Sequence, residues 1–212
     1  VLGCTAGQRG PLWWASHHRQ HHLTADTGND PHSPATGFIN SHMLWFLRKG
    51  NFGAMQHRVR DWMKYPEPRW LEKFDWVPLV LFAAGCFAFG NYLSVTRPQL
   101  QVTGMSLLVW GFLVSTLLLW HGTYTINSFA HRFGSRRYVT GDESRNNPLL
   151  ALLTLGEGWH NNHHRYPNST RQGFYWWEID ISYYLICLLH LFGVVRDLKP
   201  VPASVYLEGM KK

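Results

Sequence analysis

Val77-Pro78-Leu79-Val80-Leu81-Phe82-Ala83-Ala84-Gly85-Cys86-Phe87-Ala88-Phe89 lies inside a stretch, Trp76 to Thr96, that holds no charged residue. A membrane-spanning helix needs ~20 mostly apolar residues, so this stretch reads as a transmembrane helix, closed by Arg97-Pro98. A second apolar run, Met105 to Trp120, sits in a segment without Asp, Glu, Lys or Arg from Pro98 to Ala130. Two apolar helices so closely linked predict a transmembrane hairpin. A pair of buried helices in a soluble core is the other reading, and a chain of 212 residues is small for it.

The charges outside the hairpin support the membrane reading. Of the 20 Lys and Arg, nine precede the first run, ten follow the second, and only Arg97 sits at the connecting turn. By the positive-inside rule both flanks are cytoplasmic and the turn lies on the far side. The net charge of +7 therefore follows the membrane rule and gives little support to a nucleic-acid face. The 11 Trp, 12 Phe and 9 Tyr suit a membrane interface, where amphipathic rings collect. Cys4, Cys86 and Cys187 form no CxxC pair, which predicts reduced, packed thiols rather than a disulfide framework. No signal peptide is visible, and the chain opens on Val1-Leu2-Gly3 without an initiator Met, so it reads as a fragment or a processed product.

Each flank carries the same unusual cluster: His18-Arg19-Gln20-His21-His22 before the hairpin, and Trp159-His160-Asn161-Asn162-His163-His164 after it. Histidines at i, i+3 and i+4 share one face of a helical turn and aim ring nitrogens at one small volume. A basic solvated turn or a tag is the plain alternative, but a tag is terminal and contiguous and these boxes are neither. If both flanks are cytoplasmic, the two boxes share a side of the membrane and are free to meet.

Ser16 reads as an N-cap for the first box, and Asp26 to Pro34 as loop. Phe38 to Leu47 is too short to span and predicts an interfacial or tucked helix; residues 51 to 75 read as a polar surface connection. Pro148 to Leu155 predicts an apolar helical lead-in to the second box. Ile181 to Val195, a run of 15 residues, is expected to pack or to lie in the interface rather than span. The expected organisation is one domain over 1–212: residues 1–75 with one box, the hairpin at 76–121, and 122–212 with the other. Beyond the box itself there is no internal repeat, and the tail with Lys211 and Lys212 carries no motif.

Six imidazoles exceed the needs of one zinc site and suggest two metals. His131 is a seventh candidate, with Asn127 on the same helical face at i, i+4. Nitrogen-rich sites of this kind suit Fe, Zn or Cu. Neither box holds the carboxylate of an HExxH zinc hydrolase, and no GxSxG or cysteine nucleophile motif occurs. Glu157 and Asp30 are candidates to orient ligand imidazoles, with loop capping as the equal alternative. His121 and His190 read as hydrogen-bonded core residues, while His17, His32, His42 and His57 match no ligand position.

His18-Arg19-Gln20-His21-His22, Asp30-Pro31-His32, Asn127-Ser128-Phe129-Ala130-His131 and Gly156-Glu157-Gly158-Trp159-His160-Asn161-Asn162-His163-His164 together resemble the membrane-bound fatty acid desaturases. The closest look is to the bacterial Δ9 acyl-CoA (stearoyl-CoA) branch, and the resemblance covers nearly the whole chain. It implies an all-α membrane protein in which a transmembrane helical hairpin carries a cytosolic helical cap with the histidine boxes, as part of a four-transmembrane-helix fold. The family's first box, an HxxxxH pattern, and its first helix pair have no counterpart here, so the chain is expected to be part of a longer protein. The resemblance further implies two Fe ions held by His18, His21, His22, His131, His160, His163 and His164, with Asn127 acting through a water. With O2 as co-substrate and electrons from cytochrome b5 or a ferredoxin-like carrier with its reductase, two hydrogens leave a saturated acyl chain as a cis double bond forms. The substrate would be acyl-CoA or an acyl-lipid, held in an apolar tunnel. Arg48 and Lys49 match a basic pair that contacts CoA phosphates in the family, or else anchor an interfacial helix. Tyr124, upstream of His131, lines the tunnel in one reading and is a packed aromatic in the other. The rival readings are a membrane di-iron hydroxylase, a membrane zinc hydrolase and a non-catalytic metal-binding remnant.

Overall fold

The computed structural model describes residues 1–210; Lys211 and Lys212, in the motif-free tail, lie outside the described residues. Those described are helical and contain no strand, only two isolated antiparallel bridges that join Asn146 to Ser135 and to Trp159. The chain divides into two compact units, residues 1–23 with 46–121 and residues 24–45 with 122–212.

In the first unit, helix α1 spans Pro11–Thr24, of which all but Thr24 falls here. Proline at the first helical position has no N–H to leave unsatisfied, so the helix starts there rather than at Ser16. The cap comes from far along the chain: the Glu72 carboxylate accepts the Leu12 and Trp13 N–H groups at 3.0 and 2.9 Å. Ser16 is interior and fully buried, its hydroxyl donating to the Trp13 carbonyl and accepting the Met55 N–H. Leu12 and Ala15 pack with Val59, so the 51–75 connection also contributes to the core, and it carries a second helix, α2, Pro66–Lys73.

Two helices are long and apolar enough to cross a membrane: α3, Trp76–Thr96 with 21 residues, and α4, Gly104–Ser128 with 25. The uncharged stretch read from the sequence and α3 coincide. Thr103 and Ser106 form a reciprocal capping box that starts α4. Gly90 lets the two helices close at the turn, because a Cβ there would sit 2.5 Å from the Thr103 carbonyl oxygen. Most of the hairpin surface is uncovered by protein, with Leu81, Val95, Trp110 and Leu118 all exposed. So much bare apolar surface suits lipid and not water.

The second unit takes up α4 at Gly122. Helix α5, Pro148–Leu153, is capped by the Asn147 side chain and sets Leu150 against Ile126 and Ala130. Helix α6, His160–Arg165, carries the second histidine box. Helices α7, Ile181–Leu191, and α8, Ala203–Met210, follow. Tyr138, Phe174, Tyr175, Val201 and Val205 form the main core, and Arg165 joins α6 to α8 through an ion pair with Glu208 at 2.5 Å.

Candidate metal centre

The second box is held from below by a close backbone crossing. A Cβ on Gly158 would lie 2.1 Å from the Ala151 nitrogen, so only glycine lets the chain pass under α5 and turn into α6. Six residues make a helix too short to stand alone. The two asparagines between its histidines supply the missing grip, and both are fully buried. Asn161 accepts the Tyr138 N–H at 2.7 Å and donates to the Tyr138 carbonyl at 3.2 Å. Asn162 accepts from Asn146 Nδ2 at 2.7 Å and donates to the Gln172 carbonyl and to Glu178 Oε2. Glu178, itself fully buried, also takes the Phe174 and Tyr175 N–H groups and the Arg137 guanidinium at 2.7 Å.

With α6 fixed, His160 and His164 meet His131, which follows the end of α4. His131, His160 and His164 each offer one ring nitrogen within 4.8 Å of the others. His131 Nε2 and His160 Nε2 are 3.0 Å apart. Ring centroids stand 4.9 Å apart for His131 and His160, and 4.3 Å for His160 and His164. His163 shares the helix, 6.0 Å from the His160 ring, and is half-buried.

Carboxylates stand behind two of these rings. His131 Nδ1 lies 3.1 Å from the Asp26 carboxylate, and His164 Nδ1 lies 2.8 Å from Asp142 Oδ2. A carboxylate at Nδ1 fixes the proton there and turns the Nε2 lone pair toward an ion. Both carboxylates are themselves positioned. Asp26 accepts the Glu143 N–H at 2.6 Å, and Asp142 accepts the Ser144 N–H and the Thr140 hydroxyl. Burial would raise the Asp142 carboxyl, but hydrogen bonds from His164 and Ser144 outweigh it and hold it well below the usual range. Burial lowers the His164 imidazole despite Asp142, which favours the neutral form that metal binding requires. Nitrogens ~3 Å apart are the spacing of neighbouring ligands on one ion with bonds of ~2.1 Å. The donor set fits a transition metal.

In the first unit the other box lies on α1. His22 Nε2 and His18 Nε2 are 3.1 Å apart, and the His21 ring stands 5.7 Å from that of His22. Trp14 stacks on His18 at 4.7 Å and steadies that ring. His21 is buried. His17, passed over as a ligand, is buried too and turns Nδ1 to the Trp13 carbonyl at 2.9 Å. The non-histidine positions of this box grip outward: Arg19 pairs bidentately with Asp61 and donates to the Arg58 carbonyl, while Gln20 accepts from Arg58 Nε.

Asn127 is half-buried, and its carbonyl accepts the Ser41 hydroxyl at 2.7 Å. Tyr124 is buried, edge-on to His42 at 5.6 Å, and His42 Nδ1 meets Ser128 Oγ at 3.0 Å. Arg48 and Lys49 are exposed at the start of a short turn. Glu157, a candidate either to orient a ring or to cap a loop, accepts from Gln172 at 2.7 Å. Asp30 caps its own loop by accepting the Asp26 and His32 N–H groups. His121 and His190, expected in the core, are both exposed, with His190 Nδ1 on the Val195 carbonyl. Asp26 and Asp142, which do stand behind the His131 and His164 rings, carried no signal in the sequence, being loop acids beside no box.

A family model described as fatty acid desaturase matches residues 1–190. The chain belongs to the fatty acid desaturase family. It is 39% identical over 212 residues to the acyl-CoA C20 Delta5-desaturase of Anemone leveillei, covering 99% of this chain and 64% of that protein. It is 36% identical over 200 residues to Delta-9 acyl-lipid desaturase 1 of Arabidopsis thaliana, covering 93% of this chain and 61% of that one. Against the sn-2 palmitoyl-lipid 9-desaturase of Nostoc sp. (strain 36) the identity is 32% over 214 residues, with 99% and 70% covered. The chain thus spans less than two thirds of the two plant relatives.

Proposed function

We propose that this chain carries the metal-binding part of an O2-dependent di-iron fatty acyl desaturase. The enzyme introduces a cis double bond at Δ9 of a saturated chain presented as acyl-CoA. The observation that carries this reading is the convergence of His131, His160 and His164 with Asp26 and Asp142 behind two of the rings. The full ligand set is His18, His21, His22, His131, His160, His163 and His164, with Asn127 through a water. When bound, the iron pair supplies O2 activation and removal of hydrogen from an unactivated methylene. The protein's own part is to orient the imidazoles and to align the acyl chain. Tyr124 lines the acyl path, and Arg48 and Lys49 hold the CoA phosphates. The helical hairpin anchors the site at the cytoplasmic face of a four-span protein under a cytosolic cap. Electrons come from cytochrome b5 or a ferredoxin-like carrier. The names of the Arabidopsis and Nostoc relatives favour Δ9, and that of the Anemone relative makes Δ5 the competing outcome.

The test is to express the gene from which the chain derives in a desaturase-deficient host, profile membrane fatty acids by gas chromatography, and measure iron on the purified protein. A new cis monoene with about two irons per chain supports the reading and reports the double-bond position directly. An alcohol product moves the protein to the hydroxylases; no product and no iron leave a metal-poor remnant. In the same host, His163→Ala abolishes product and lowers iron, whereas His190→Ala, altering an exposed ring on α7, leaves both near the parent level. Equal iron in the two variants overturns the ligand assignment.

A further inference from the structure

The second unit has an apolar face that no described residue covers. On α5, Leu150 and Ala151 point inward while Leu149, Leu152 and Leu153 are exposed, as is Leu155 just beyond. None of the 11 residues of α7 is buried, and its most exposed apolar side chains, Ile181, Tyr184, Leu185, Leu188 and Leu191, recur at helical spacing as one stripe. The two helices adjoin: Ser182 N–H donates to the Leu155 carbonyl at 2.8 Å. Nearby, the Trp159 indole holds the Ile179 carbonyl at 2.8 Å, next to Trp176 and Trp177, which are 84% and 50% exposed. Neither α5 (PLLALL) nor α7 (ISYYLICLLHL) contains an acid, a lysine or an arginine.

Two observations say what covers this face. Leu150 packs on Ile126, which belongs to the last turn of α4, so the exposed leucines of α5 begin where the candidate span ends. Helix α7 is about 16 Å long at 1.5 Å per residue, half of a ~30 Å hydrocarbon core, so it cannot cross a bilayer. A short uncharged helix with Trp and Tyr beside it is suited to lie in the headgroup–acyl boundary.

We propose that α5, α7 and the Trp176-Trp177 corner form a monotopic surface that rests in the leaflet from which α4 emerges. This rests on α4 crossing the membrane and not on the desaturation chemistry. It implies that the unit carrying the second box reaches lipid directly, so that a bilayer-dissolved acyl chain need not pass through water.

The test uses the full chain in nanodiscs of phosphatidylcholine with a minority of phosphatidylglycerol. Cys4, Cys86 and Cys187 are first replaced by alanine. A nitroxide is then attached at Leu152→Cys or Leu188→Cys, with Leu118→Cys as the span control and Asn168→Cys as the exposed loop control. Power-saturation EPR compares collisions with O2, which concentrates in lipid, against a nickel chelate, which stays in water. The expected result is an O2-to-nickel ratio at 152 and 188 several-fold above that at 168, approaching that at 118. Two outcomes overturn the proposal while 118 still reports lipid: nickel access at 152 and 188 equal to that at 168, or low access to both reagents, which means that protein covers the face. Nickel access at 118 itself removes the membrane-span reading and this proposal with it, leaving the metal centre to its own test.

Discussion

The two histidine boxes share the pattern His-x-x-His-His yet are built by opposite means. The first rides on α1, whose 14 residues approach the length at which a helix holds itself, and its N-terminus is capped by Glu72. There the intervening Arg19 and Gln20 reach outward, to Asp61 and Arg58 at the surface. The second rides on α6, whose six residues are far below that length. There the intervening Asn161 and Asn162 turn inward and take seven hydrogen bonds from their side chains alone, to Tyr138, Thr140, Ser144, Asn146, Gln172 and Glu178. The lesson is that the residues between the histidines are not spacers. Helix length decides whether they are surface ornaments or the fastening of the site.

The sharpest way to break that comparison is Asn162→Ala against Gln20→Ala. Removing the Asn162 side chain strands a buried donor on Asn146, takes a donor from the half-buried Gln172 carbonyl and removes one of the hydrogen bonds to Glu178, which keeps those from Phe174 and Tyr175. Each such loss costs about 1–3 kcal/mol, so the total reaches several kcal/mol against a domain stability of about 5–15 kcal/mol. Asn162→Ala is expected to lower the melting temperature strongly and to lose iron, whereas Gln20→Ala changes neither measurably. Equal effects by thermal melting and iron analysis would show that the two boxes are fastened alike.

How much of this was legible follows from where each signal lives. The candidate spans were legible because absence of charge over some twenty residues is a local property, and α3 begins and ends where the uncharged stretch does. The shared histidine faces were legible because i, i+3, i+4 spacing becomes geometry as soon as a helix forms, and both boxes are helical. The start of α1 was misread at Ser16, because its cap, Glu72, lies about sixty positions away and no local pattern points to it. The orienting carboxylates were missed for the same reason. Asp26 reaches His131 across 105 residues and Asp142 reaches His164 across 22, from loops that have no period. For Glu157, orientation of a ring and loop capping were equal readings, and its carboxylate meets Gln172.

A middle-sized effect separates orientation from fastening within the second box. Asp142→Asn keeps an oxygen for the Ser144 N–H while removing the charge that faces His164 Nδ1. Loss of such a partner behind a ligand histidine typically weakens metal binding about 10–100-fold. The expected result is iron that is lost more readily to a chelator, with a melting temperature of the metal-free protein close to the parent. A large fall in that melting temperature would mean that Asp142 fastens the fold as Asn162 does, and the distinction would fail.

The smallest effect belongs to the surface grip of the first box. Hydrogen bonds from Arg19 hold the Asp61 carboxyl down to about 2. Because the folded state depresses this carboxyl, its contribution is present above the ordinary carboxylate value of about 4 and is lost as pH falls toward 2. Both side chains are well exposed, at 38% and 56%, so the pair is worth only about 0.2–1 kcal/mol and is screened by salt. Arg19 also donates to the Arg58 carbonyl and lies over the Trp62 ring at 5.5 Å, contacts that do not titrate in this range. Asp61→Asn should therefore lower the melting temperature slightly at neutral pH and low salt, with the difference vanishing at high salt or near pH 2. Arg19→Ala should leave a small residual that neither condition removes. A salt-independent loss as large as that of Asn162→Ala would mean that the long helix needs its surface grip as much as the short one needs its buried amides.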